Sequence, residues 1–234
     1  MKERPILFSG PMVLAILEGR KTQTRRVLSP NPDAWIRGSS GKFGIPMKIT
    51  NEFPSPNKSI WQEDDGTRYK PIKCKYGTAD DRLWVRETWA PADSFANTPD
   101  NCAFFYRADN SAHLFSSDNN IPIDTYGVAF DKLRWKPSIH MPRIASRILL
   151  EITDIRVERL QDISEEDAKA EGVHFYGWDD TEQNDYKNYL HEDQFDDFGV
   201  CSAKESFETL WQSINGPDSW EKNPWVWVIE FEKI

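Results

Sequence analysis

The residues best equipped for chemistry stand near the N-terminus, in Arg20-Lys21-Thr22-Gln23-Thr24-Arg25-Arg26. Four cations and two hydroxyls share this short stretch. Such a set can grip a phosphate, stabilise a developing oxyanion, or present a hydroxyl nucleophile. Thr24 would be that nucleophile, and it needs a base to take its proton. An amine serves as that base only when burial lowers its pKa, whereas a touching carboxylate raises the pKa again. The plain alternative is a solvated basic turn.

The elements that must position these residues are legible on both sides. Ile6-Leu7-Phe8 reads as a short strand. Ser9-Gly10-Pro11 opens a helix to about Glu18, with Pro11 at its first position, an apolar stretch from Met12 to Leu17, and Gly19 to end it. The chain then continues extended, with Thr22, Thr24 and Arg26 on one face. Much later, Ser164 caps a second helix whose first turn holds Glu165 and Glu166, and Gly172 ends it just after Glu171. Ser202 and Glu205 form a capping-box pattern for a helix to about Ile214. Further strands are expected at 82–88, 103–107, 147–158 and 225–232. In the 147–158 segment the apolar parity flips between Ile152 and Ile155, which implies a bulge or bend near Thr153-Asp154. In the last strand Trp225, Trp227, Ile229 and Phe231 share one face. Short strands, few helices and no βα repeats predict an α+β, barrel-like domain spanning 1–234. Three polar stretches, about 29–79, 108–134 and 174–201, read as peripheral insertions, with Trp35, Trp61, Tyr69 and Trp178 available to dock them.

The stretch Ile16-Leu17-Glu18-Gly19-Arg20-Lys21-Thr22-Gln23-Thr24-Arg25-Arg26 resembles the signature of ASCH domains, a branch of the PUA-like superfamily. The helix Glu165–Glu171 with Gly172, and the closing segments 207–211 and 225–231, resemble later elements of that family, and together the matches cover less than half of the chain. The segments Trp84-Val85-Arg86-Glu87-Thr88-Trp89 and Lys136–Arg143 look like proteins encoded by phages and prophages. The resemblance implies a PUA-like (ASCH) mixed β-barrel with short flanking helices. Some small bacterial members are amidohydrolases acting on N4-acetylcytidine, and their catalytic Lys, Thr and Glu fall on Lys21, Thr24 and Glu171 here. That implies a hydrolase for an N4-acylated cytosine nucleoside or nucleotide, or a related modified base. If Lys21 and Glu171 touch, Glu171 becomes the base and Lys21 the oxyanion stabiliser. Two other functions stay open: a non-catalytic PUA-like module for single-stranded RNA or DNA, and a phage accessory protein that binds a host protein.

Around that core, Arg25 and Arg26 are candidates for substrate contact. Trp84, Arg86 and Glu87 offer either a pocket wall for a base or a charge pair beside core tryptophans. Ser138 and His140, in a proline-bounded loop, would line a cleft. Lys21 is expected to be exposed, so that its removal would cost little stability.

The bulk numbers restrict the partners. The net charge is −9, but residues 161–200 alone carry −11 and the remainder +2. The acidic stretch disfavours a long phosphate backbone and favours a small ligand. Cys74, Cys102 and Cys201 are scattered without a Cys-x-x-Cys pair, and His113, His174 and His191 lack ligand spacing, so neither metal nor cofactor is expected. With no long apolar run, the chain reads as cytoplasmic, with no membrane partner.

Overall fold

The computed structural model describes residues 1–29, 48–50, 59–62, 69–72, 74–91, 102–114, 120–122, 133–176, 186–191 and 199–234. Along the chain run β1 (Glu3–Leu7), α1 (Gly10–Leu17), β2 (Gln23–Val27), β3 (Lys48–Thr50), β4 (Ser59–Gln62), β5 (Tyr69–Ile72), β6 (Arg82–Arg86), β7 (Trp89–Pro91), β8 (Cys102–Tyr106), β9 (Ser111–Leu114), β10 (Asn120–Pro122), β11 (Leu149–Arg159), α2 (Glu165–Ala170), α3 (Ala203–Asn215) and β12 (Trp225–Lys233). Single 3-10 turns stand at Ser138–His140, Arg143–Ala145, Leu160–Asp162 and Pro217–Ser219. Most of Trp35's insertion and Trp178 lie outside the described residues. Among the described residues, no helix is long and apolar enough to cross a membrane.

The protein is mixed α+β. Its largest sheet has the order β1-β6-β11-β12-β2, with β1 parallel to β6 and antiparallel pairing of β6 with β11 and of β2 with β12. Five of the six expected strands are in it, and among the described residues β1 and β2 are its edges, so no closed barrel forms. The sixth, β8, pairs elsewhere, in a four-stranded sheet of order β10-β9-β8-β7. The physical reason is local. Asn110 adopts φ +52 in the turn after β8, which folds β9 back onto β8 over a short loop. As a result, the stretch 108–134 supplies an interior strand, β9, instead of a peripheral insertion. The 29–79 stretch likewise holds a sheet of order β3-β4-β5, made of strands too short to show an apolar alternation. Proline placement follows one rule throughout: Pro5, Pro71, Pro91 and Pro122 lie in β1, β5, β7 and β10, each an edge of its sheet. A proline has no N–H to give to an interior ladder.

Two compact units emerge. The first comprises Met1–Gly19, Asp81–Glu151 and Lys233–Ile234; the second comprises Arg20–Asp80 and Ile152–Glu232. In the first, β1 is tied down where Asp81 accepts from the Lys2 N–H and from Arg4 Nη1, both at 2.7 Å. A cluster of Trp89, Tyr106, Met141 and Ala145 is buried beside Phe104. In the second, the Ser164 hydroxyl accepts from Asp167 N–H and caps α2, and the Ser202 hydroxyl does the same for α3 at Glu205 N–H. The two helices are joined at their starts: the Glu165 carboxylate accepts from the Ala203 N–H at 2.9 Å, at the positive end of α3. Buried side chains in β11 switch from Leu150 and Ile152 to Ile155 and Val157, so the parity flip is present although the strand is continuous. In β12 the buried run Val226–Ile229 covers both strand faces instead of the expected single face.

Candidate active site

Every residue of the N-terminal motif from Arg20 onward belongs to the second unit, with Glu171. The backbone brings them together first. Gly172 takes φ +83 and ends α2, leaving Glu171 at the helix end, where it forms an antiparallel bridge with Lys21. The Thr22 N–H donates to the Ala170 carbonyl at 2.9 Å, and Arg20 Nη1 donates to the Gly172 carbonyl at 2.9 Å. Residues 20–22 are thus strapped along residues 170–172, about 150 positions away in sequence.

The side chains complete the contact. Lys21 Nζ donates to Glu171 Oε2 and to the Glu171 carbonyl, both at 2.7 Å. Both residues are only 3% exposed. Lys21 is therefore not the exposed lysine expected from the sequence, and removing it alone strands a buried carboxylate. Burial pushes the ammonium below the ordinary lysine range; the Glu171 carboxylate opposes this, and Arg26 and Arg25 add to it. Glu171 Oε1 is buried and has no hydrogen-bond partner among the described residues. Arg25 Nη1 stands 3.5 Å from it.

Arg25 lies wholly inside. Its Nη2 donates to Asp167 Oδ2 at 2.9 Å and to Glu158 Oε2 at 3.1 Å, while Nη1 donates to Gln23 Oε1. The guanidinium stands 5.8 Å from the centre of the Phe207 ring. Gln23 Nε2 donates to Asp167 Oδ1 at 3.0 Å. Arg156 joins Asp167 at 3.0 Å and also pairs with Glu158 and Glu230. Arg25 therefore serves the protein's own carboxylates. Thr24 is buried on β2 opposite Ile229. Strand alternation puts it with Arg26, on the face opposite Gln23 and Arg25.

The remaining sequence candidates lie in the first unit. Glu87 is buried, and burial raises its carboxyl pKa while Arg147 opposes the rise. Arg147 grips it through two parallel bonds of 2.9 Å, donates to both Asp109 oxygens and the Ser111 hydroxyl, and lies 4.0 Å from the centre of the Tyr106 ring. Glu87 thus takes the charge-pair role. Arg86 stacks on Trp84 at 4.5 Å and donates to the Ile139 carbonyl at 3.3 Å, which ties it to the turn bearing half-buried Ser138 and exposed His140.

Sequence reasoning missed Gln23, Glu158, Asp167, Arg156 and Glu230. Gln23 had a signal, standing inside the motif two residues from both Lys21 and Arg25. Asp167 lies in the first turn of α2 beside Glu165 and Glu166, and nothing in its type or spacing set it apart from them. Comparison with protein-family models, curated proteins and solved structures finds no match.

Proposed function

We propose that this chain is an amide hydrolase for a small N4-acylated cytosine nucleoside or nucleotide, with Lys21, Thr24 and Glu171 at its centre. The observation that carries the reading is the buried Glu171 carboxylate: Lys21 occupies Oε2, and Oε1, 3.5 Å from Arg25 Nη1, has no hydrogen bond among the described residues. Burying an ion pair gains little stability over apolar packing, and a buried acceptor without a donor costs more still. A site that keeps both has a use for them. The PUA-like family resemblance of the Lys-Thr-x-Thr segment supports the same assignment.

The chemistry divides as follows. Glu171 Oε1 takes the proton from a hydroxyl, that of Thr24 or of a water, as its oxygen bonds to the acyl carbon. Lys21, protonated and donating, stabilises the oxyanion. The C–N4 bond then breaks, and the proton held by Glu171 passes to the leaving amino group. With water as the nucleophile, a carboxylic acid and a free cytosine amine result; with Thr24, the amine leaves first and one water then hydrolyses the acyl-Thr24 ester, giving the carboxylic acid and restoring the hydroxyl. The −11 charge of residues 161–200 favours a small substrate over a nucleic-acid backbone.

The test is incubation of the purified chain with N4-acetylcytosine, N4-acetylcytidine and their 5′-phosphates, with chromatographic detection of the deacylated product. Product formation that disappears in Glu171→Gln is the expected result. Binding of nucleosides without any product would replace this reading with that of a PUA-like binding module.

A further inference from the structure

Arg25 stands between Glu171 and a side chain that the proposed reaction does not use. Gln23 and Arg25 alternate onto one side of β2. That side meets α2, where Asp167 and Glu171 lie one helical turn apart. Gln23 Nε2 donates to Asp167 Oδ1 at 3.0 Å and to Glu230 Oε1 at 3.3 Å. A carboxylate can only accept, so these two contacts fix which way round the amide sits. Its oxygen is turned to Arg25 and accepts from Nη1. Arg25 Nη2 is held by Asp167 Oδ2 at 2.9 Å and Glu158 Oε2 at 3.1 Å. The guanidinium is planar, so bonds to both of its ends fix the whole group. Held this way, Nη1 stands 3.5 Å from Glu171 Oε1, an ion-pair contact without a hydrogen bond. The guanidinium is wholly enclosed and the carboxylate nearly so.

That difference of contact matters to a base. A nearby cation favours the ionised carboxylate, which a base requires. A hydrogen bond favours it more strongly and also occupies the lone pair that must take the proton. We propose that Gln23 is a positioning residue: by accepting from Arg25 Nη1 it keeps the guanidinium beside Glu171 Oε1 as a charge and not as a hydrogen-bond donor, so that Oε1 is left to the proton of the nucleophile. This rests on the reading of Glu171 as the base. The other charged groups around the contact are Lys21 on Oε2, Arg26 on β2, Asp167 on α2, Glu158 and Arg156 on β11, and Glu230 on β12.

The experiment pairs crystal structures with pH–rate profiles on N4-acetylcytidine, using the intact chain, Gln23→Met and Gln23→Glu. The wild-type crystal should show Nη1 on the Gln23 oxygen and off Glu171. Gln23→Met keeps the side chain's length but offers at most a weak acceptor. Its Nη1 should close onto Glu171 Oε1, to about 2.9 Å. The acid limb of kcat should then move to lower pH by about one unit, the tenfold change that a hydrogen bond to a charged group makes. With the base weakened and the substrate contacts intact, kcat at neutral pH should fall while KM holds. Gln23→Glu keeps an oxygen for Nη1, so its acid limb should not move to lower pH. Three results would each overturn the proposal: a wild-type Nη1 bonded to Glu171 Oε1, an unchanged separation in Gln23→Met, or acid limbs that move to lower pH alike in both variants. Closure onto Oε1 in Gln23→Met, with no hydrolysis of any acylated cytosine by the wild type, would sink Glu171 as the base and leave the Gln23 contact standing.

Discussion

Two buried charge clusters, one in each unit, look alike in composition and differ in how completely they are used. In the first unit Arg147 is saturated: its donors reach both oxygens of Glu87, both of Asp109, and the Ser111 hydroxyl. The arginine fork matches carboxylates two bonds at a time, and nothing is left over for a ligand. In the second unit Glu171 gives one oxygen to Lys21, and among the described residues the other has no hydrogen bond. Lys21, a compact point charge, lacks the planar fork with which a guanidinium meets both oxygens at once. Buried charge is common to both clusters; what distinguishes the one around Glu171 is an incompletely satisfied carboxylate.

The largest effect separating the clusters should come from Arg147→Ala. It leaves Glu87 buried and uncompensated, and urea unfolding should show a loss of about 3–5 kcal/mol. A cost below about 1 kcal/mol would mean that the closed network does not hold the first unit. Next, the pair replacement Lys21→Met/Glu171→Leu should abolish hydrolysis of N4-acetylcytidine while leaving stability unchanged or raised by about 1–4 kcal/mol. If it destabilises as much as Arg147→Ala, the contrast between a closed and an open cluster collapses.

Smaller effects test the shell around Glu171. Burial alone would raise the Asp167 carboxyl, but the Gln23 hydrogen bond and the charges of Arg25 and Arg156 prevail and hold it below the ordinary range. A carboxylate with a depressed folded pKa stabilises the fold above its unfolded value of about 3.9 and loses that contribution as pH falls through the folded value. Urea midpoints of wild type and Asp167→Asn should therefore differ most near neutrality and converge in strong acid; a gap that widens in acid would reverse the assignment. The smallest effect belongs to Arg26, which helps keep Lys21 easy to deprotonate. If protonated Lys21 stabilises the oxyanion, kcat/KM falls as pH rises through its lowered pKa. Arg26→Gln should move that falling limb to higher pH. A rising limb in its place would make Lys21 the base.

Much of the scaffold was legible because it rests on local rules. The caps at Ser164 and Ser202, the helix stop at Gly172 and the parity flip in β11 depend on residues a few positions apart. Proline positions carried more than was taken from them: Pro5, Pro71, Pro91 and Pro122 each mark an edge strand. The sheet partition was not legible, because the choice of β8 between sheets turns on the Asn110 turn competing with a long-range pairing.

For the candidate site, the residue types told which side chains were available, and it was the family resemblance, not any spacing, that paired Lys21 with Glu171. Long-range packing set the rest: the pair is buried, Arg25 is enclosed by Gln23, Glu158 and Asp167, and one Glu171 oxygen has no hydrogen-bond partner among the described residues. The reason is physical. Residue types fix what a side chain can donate or accept, but solvation and hydrogen-bond count are set by neighbours up to about 150 positions away along the chain.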